Sequence, residues 1–255
     1  MFPVLELELL RVPMFGLCIF LGFLLGSLLL RFRLKEDAQL RNYSLLWFQL
    51  TVATVLGGLL GARLWEAVKY PTLAIGDPFD ISAGSAWYGG FLASTVIVLV
   101  LLVCRRVPIL RTLDVMVPSV CLGQVLGRLG CFSGGCCFGV PTTMPWGVIV
   151  PNSQIPIPLH PSPLYEAGAY LIMFFVLLFM LRRRKNDGTV FASYAILTGT
   201  ARFLIEYLRV NPRTFFGFTE AQVISICLVL CGMAILDVEV LKSSVLRAVK
   251  VAPAK

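Results

Sequence analysis

A chain of 255 residues that is 58% hydrophobic and only 14% charged, with a mean hydropathy of +0.85, stands far from soluble domains, which are about 45–50% apolar and about 25% charged. That excludes a soluble globular protein and leaves an integral membrane protein, expected at this length as one domain over residues 1–255. A formal charge of +8 would suit a nucleic-acid binder, but the placement of the basic residues gives it another meaning.

Apolar windows of about 20 residues predict an all-α membrane protein with seven transmembrane helices, over 13–30, 44–64, 87–104, 112–132, 163–181, 189–208 and 220–241. The segment before the first, MFPVLELELLRVP, carries Glu6 and Glu8. A cleaved signal peptide starts basic, so the first span is expected to be retained. The fourth is interrupted by Asp114, Pro118, Gln124 and Arg128. Long loops rich in Pro, Gly and Ser are expected over 65–86 and 133–162.

Basic residues gather in alternate connections: Arg31, Arg33, Lys35 and Arg41; then Arg105, Arg106 and Arg111; then Arg182 to Lys185; then Lys242, Arg247, Lys250 and Lys255. The opposite side holds Arg11, Arg63, Lys69, Arg209 and Arg213. The positive-inside rule therefore puts the amino terminus outside and the carboxyl terminus in the cytoplasm. The charge surplus is a topology signal, and no nucleic-acid partner is expected. The long loops fall outside, where functional residues are then expected.

Two arginines, Arg128 and Arg202, lie inside spans. Each costs about 2.5–3.5 kcal/mol at membrane depth and needs a partner or a task. Glu206 follows Arg202 by one helical turn and can neutralise it; Arg128 has no such neighbour in sequence. With the orientation above, Arg128, Arg202, Glu206, Tyr88 and His160, with Tyr165 and Glu166 just beyond it, all fall at the outer membrane level. Guanidinium groups at headgroup depth are suited to gripping a phosphate, so the expected ligand is an anionic phospholipid of the outer leaflet. In GRLGCFSGGCCFG, Gly127 to Gly139, the pair Gly127 and Gly130 would permit close helix approach. Gly134, Gly135 and Gly139 would permit a positive-φ turn whose N–H groups could bind an anion beside Arg128.

These stretches, together with HPSPLYEA, RFLIEYLR, AWYGG, GARLW and FGL, resemble the prolipoprotein diacylglyceryl transferases in order and topology, from the first span to the start of the seventh. The resemblance implies a seven-helix bacterial inner-membrane enzyme that moves diacylglyceryl from phosphatidylglycerol to a cysteine thiol of a lipoprotein-precursor peptide, releasing glycerol phosphate. It gives Arg128 the phosphatidylglycerol-binding role and makes Arg202 the second essential cation with Glu206 beside it; Gly89, Gly90, Gly134 and Gly135 are expected as further substrate-binding positions. The chain departs from the family pattern at Tyr88, where a histidine usually precedes the two glycines, at Cys131 for asparagine, at Cys136 for glutamate, at Phe15 for tyrosine, and at Thr198, which stands where a tyrosine is usual. A binding-only relative, or a thiol-redox protein, is the alternative function.

The replaced histidine leaves His160 as a general-base candidate, or as a residue that orders its loop. Tyr88, with a phenol pKa of about 10, would orient a headgroup. Cys18, Cys104, Cys121, Cys227 and Cys231 sit in apolar spans and are read as packing. Cys131, Cys136 and Cys137 stay open between turn-filling, a disulfide from Cys131 to either neighbour, and a thiolate nucleophile activated by Arg128. They lack the paired C-x2-C spacing of zinc sites. No metal and no cofactor is expected.

Overall fold

A computed structural model describes residues 4–7, 10–69, 86–150, 156–215 and 217–251. All seven expected helices are present: α1 (Met14–Glu36), α2 (Leu46–Lys69), α3 (Ala86–Cys104), α4 (Ile109–Ser133), α5 (Ser162–Arg183), α6 (Thr189–Glu206) and α7 (Glu220–Val251). Five of them, α1, α2, α4, α5 and α7, are long and apolar enough to cross a membrane. The chain also makes two short antiparallel pairs that hydropathy did not reveal. One pairs β1 (Val4–Leu7) with β2 (Leu10–Pro13); the other pairs β3 (Arg213–Phe215) with β4 (Phe218–Thr219). Most of the loop expected over 65–86 lies outside the described residues.

The chain divides into two compact units, Leu29–Thr112 and the remainder, Met1–Leu28 with Leu113–Lys255. In the first, Leu40, Leu46, Leu50 and Leu102 are fully buried, and Arg111 donates to Asp37 at 2.8 Å. Here α2 and α3 approach closely. A Cβ on Gly89 would run into Trp65 and the Gly61 carbonyl, and one on Gly90 would sit 2.8 Å from the Gly58 oxygen. At Gly89 and Gly90, expected as substrate-binding positions, α3 packs against α2, because only bare backbones fit at this separation.

The second unit is built on α4, α5 and α6, whose Val117, Cys121, Val125, Tyr170, Met173, Leu177 and Val190 form one buried cluster. The polar residues that interrupt α4 are each used within this unit. Fully buried Asp114 accepts the Gly188 and Phe191 N–H groups, both at 2.8 Å. It thereby caps the start of α6 from a neighbouring helix, satisfying donors that the helix itself cannot. Gln124 accepts the Tyr194 hydroxyl. On α5 the opposite face shows Ile172, Phe175 and Phe179, 67%, 61% and 55% exposed. An apolar stripe of that size needs a lipid environment.

Candidate active site

Chemistry gathers where α4 ends, α5 begins and α6 ends. Glu166 stands in the opening turns of α5 and is only 2% exposed. Its Oε1 accepts Arg202 Nη1 at 2.8 Å and Arg209 Nη1 at 2.9 Å. Its Oε2 pairs with Arg128 Nε at 2.8 Å. Arg202 also pairs with Glu206 one turn on, at 2.8 Å. Glu206, equally buried, is held through its other oxygen by Asn211 Nδ2 at 2.6 Å and Thr219 Oγ1 at 2.9 Å. Three guanidinium groups thus face two carboxylates, leaving one positive charge in surplus. The arginine side chains keep 12–20% of their surface exposed while both carboxylates are sealed. The open side of the cluster is cationic, and it is arranged to receive an anion by charge-assisted bonds.

The partner that sequence could not supply for Arg128 is therefore Glu166, on another helix. Sequence reading placed Glu166 near the site without giving it a role, and counted Arg209 only as a loop charge. Both carried a signal: Arg209 closes the RFLIEYLR stretch, and Glu166 lies in HPSPLYEA.

The glycine turn does something other than expected. Of Gly134, Gly135 and Gly139, only Gly135 has a positive φ, of 74°. The N–H groups of Gly134, Gly135, Cys136 and Gly139 donate to the carbonyls of Gly130, Phe132, Cys131 and His160. They are spent on the local fold, so anion binding through these N–H groups falls away and the guanidinium groups remain. Gly139 is needed for close approach: a Cβ there would strike the Leu208 carbonyl and come within 2.5 Å of Ser162 Oγ. Three strands of chain meet at that point, with Val140 N–H bonded to Leu208 and His160 N–H to Val140.

His160 lies just before α5 and half-buried. Its Nδ1 is 3.1 Å from Tyr165 Oη, which also accepts Trp146 Nε1–H at 2.7 Å. With Nδ1 as the donor to that oxygen, Nε2 keeps its lone pair and can take a proton. The His160 backbone also bonds Val140 and Gly139, as any residue at this position could. Tyr88 opens α3 in the Leu29–Thr112 unit; its side chain lies outside the described residues.

All eight cysteines are free thiols. Cys131, Cys136 and Cys137 bring their sulfurs within 4.8 Å of one another. The Cys136 thiol donates to the Cys131 carbonyl oxygen at 3.5 Å.

A family model described as prolipoprotein diacylglyceryl transferase matches residues 3–238. The protein of Clostridium tetani named phosphatidylglycerol–prolipoprotein diacylglyceryl transferase is 32% identical over 93% of this chain and 97% of its own length. Proteins of the same name are 37% identical in Wolbachia pipientis of Culex pipiens, over 73% and 76%, and 32% identical in Bordetella parapertussis, over 88% and 89%. Such relatives lend no support to a binding-only or thiol-redox reading.

Proposed function

Because the chain belongs to the prolipoprotein diacylglyceryl transferase family, we propose that it moves diacylglyceryl from phosphatidylglycerol to the cysteine thiol of a prolipoprotein. It does so from a seven-span bundle of the bacterial inner membrane, amino terminus outside, with the site open to the outer leaflet. The observation that carries this reading is Glu166, a sealed carboxylate holding Arg128, Arg202 and Arg209 within 2.9 Å. The surplus positive charge matches the single negative charge of a phosphodiester headgroup.

In the reaction, the acceptor sulfur forms a bond to the glyceryl carbon as the bond from that carbon to the phosphate oxygen breaks. Glycerol phosphate leaves with the bonding electrons and gains negative charge. Arg128, Arg202 and Arg209 are placed to stabilise that gain, and their positions are fixed before the reaction begins. Glu166 and Glu206 are positioning residues, since they hold guanidinium groups and not the lipid. The thiol proton needs an acceptor, because a free thiol has a pKa of about 8.5. His160, whose Nδ1 lies beside Tyr165 Oη, fits that task through Nε2 in the tautomer that carries its proton on Nδ1.

The test is reconstitution with labelled phosphatidylglycerol and a lipobox peptide. Release of glycerol phosphate should require the peptide, and Arg128→Lys should lower it by about a hundredfold or more, as lysine cannot reproduce the fork. Full turnover in Arg128→Lys would remove the clamp, and release without peptide would make the protein a lipid hydrolase.

A further inference from the structure

The turn after α4 carries a group of side chains that phosphate binding does not use. Cys131 sits on the last turn of α4, and Cys136 and Cys137 follow it. Neighbouring residues in regular backbone point their side chains apart, so Cys136 and Cys137 would not ordinarily face one point. Here Gly135 at φ 74° and Cys137 at φ 65° both take the left-handed conformation. For a residue with a side chain that conformation persists only where its surroundings hold it. The chain doubles back, Cys136 N–H bonds the Cys131 carbonyl at 3.1 Å, and the three sulfurs converge within 4.8 Å. Among the described residues no histidine or carboxylate joins the group.

We propose that Cys131, Cys136 and Cys137 form a binding site for one soft, thiolate-seeking cation of the Zn2+ or Cu+ class. Thiolate ligands favour such ions over Mg2+ and Ca2+, which prefer oxygen. Three protein ligands leave a zinc ion one open position for water or another donor. Three thiolates around a divalent ion carry one net negative charge, and Arg209, whose backbone bridges Gly139 two residues after Cys137, stands nearby as a cation. The linear spacing conceals the site, because the convergence depends on two left-handed residues and not on a C-x2-C repeat.

The full chain, purified in detergent under reducing conditions, would be equilibrated with Zn2+ or with Cu+ kept reduced, freed of loose metal on a chelating resin, and its metal counted. About one ion per chain should remain, falling to near none in the Cys131→Ser/Cys136→Ser/Cys137→Ser variant. The Cys104→Ser/Cys227→Ser/Cys231→Ser variant, altered at exposed thiols elsewhere, should keep it. A second readout needs no variant: the ion should shield these three thiols of the natural chain from maleimide, as mapped by mass spectrometry. Retention of only one of the two metals supports the site and assigns its ion. Retention of metal by the first triple variant, absence of shielding, or no bound metal at all overturns the proposal. So does a disulfide from Cys131 to Cys136 or Cys137 in protein trapped directly from cells with a thiol-blocking reagent.

Discussion

Glu166 decides the character of the site because, among the described residues, it is the carboxylate shared by three guanidinium groups. Neutralising it in Glu166→Gln would leave Glu206 as the remaining carboxylate of the cluster against three half-buried cations. Removing one partner of a buried ion pair costs about 3–5 kcal/mol, and unfolding in detergent should register a loss of that order, with turnover falling alongside. Thr219→Ala is a graded comparison. Its hydroxyl supports Glu206 and accepts the Gln222 N–H, while Gln222 Oε1 accepts the Thr219 N–H. That reciprocal pair is a capping box at the start of α7. Losing it should cost about 1–2 kcal/mol, since Arg202 and Asn211 still hold Glu206. Equal losses in the two variants would show that Glu166 is no more than an ordinary buried acceptor.

Among the elements, the helices owe their packing to where side chains are missing. On α3, Gly89 meets α2 so closely that Gly89→Val would drive its side chain into Trp65 and the Gly61 backbone. The expected outcome is loss of the monodisperse peak in size-exclusion chromatography, because both neighbours are backbone or the root of a side chain and cannot move aside. Gly168 on α5 is the opposite case. It is exposed, and nothing lies within 4 Å of a Cβ placed there. Gly168→Ala should leave folding intact and raise stability by up to about 1 kcal/mol, the helix-propensity difference between the two residues. If both substitutions behave alike in the same assay, close α2–α3 approach is not what Gly89 provides.

For the whole molecule, the alternation of basic connections predicts opposite sides for two connections. Arg182, Arg183, Arg184 and Lys185 close α5, whereas the turn around Met144 follows α4 with no basic residue beside it. An epitope inserted at Asn186 should be reached by antibody only after the membrane is opened. One inserted at Met144 should be reached in intact spheroplasts. Reversal of that pattern would turn the site toward the cytoplasm and remove the outer-leaflet lipid from consideration.

Apolar, membrane-type helices, seven in number, were readable from sequence, because hydropathy acts locally and every residue in a window contributes. Arg202 with Glu206 was readable for the same reason, being one turn apart on a single helix. Tertiary structure alone decided that Glu166 joins Arg128 to Arg202 and Arg209, that the glycine-turn N–H groups are consumed internally, that Gly89 and Gly90 pack helices, and that three cysteines converge. Each of those outcomes depends on the rotation and register of separate elements, or on one or two left-handed residues in a turn. Neither composition nor periodicity encodes them, since the partners lie tens of residues apart and the geometry that joins them is set by packing.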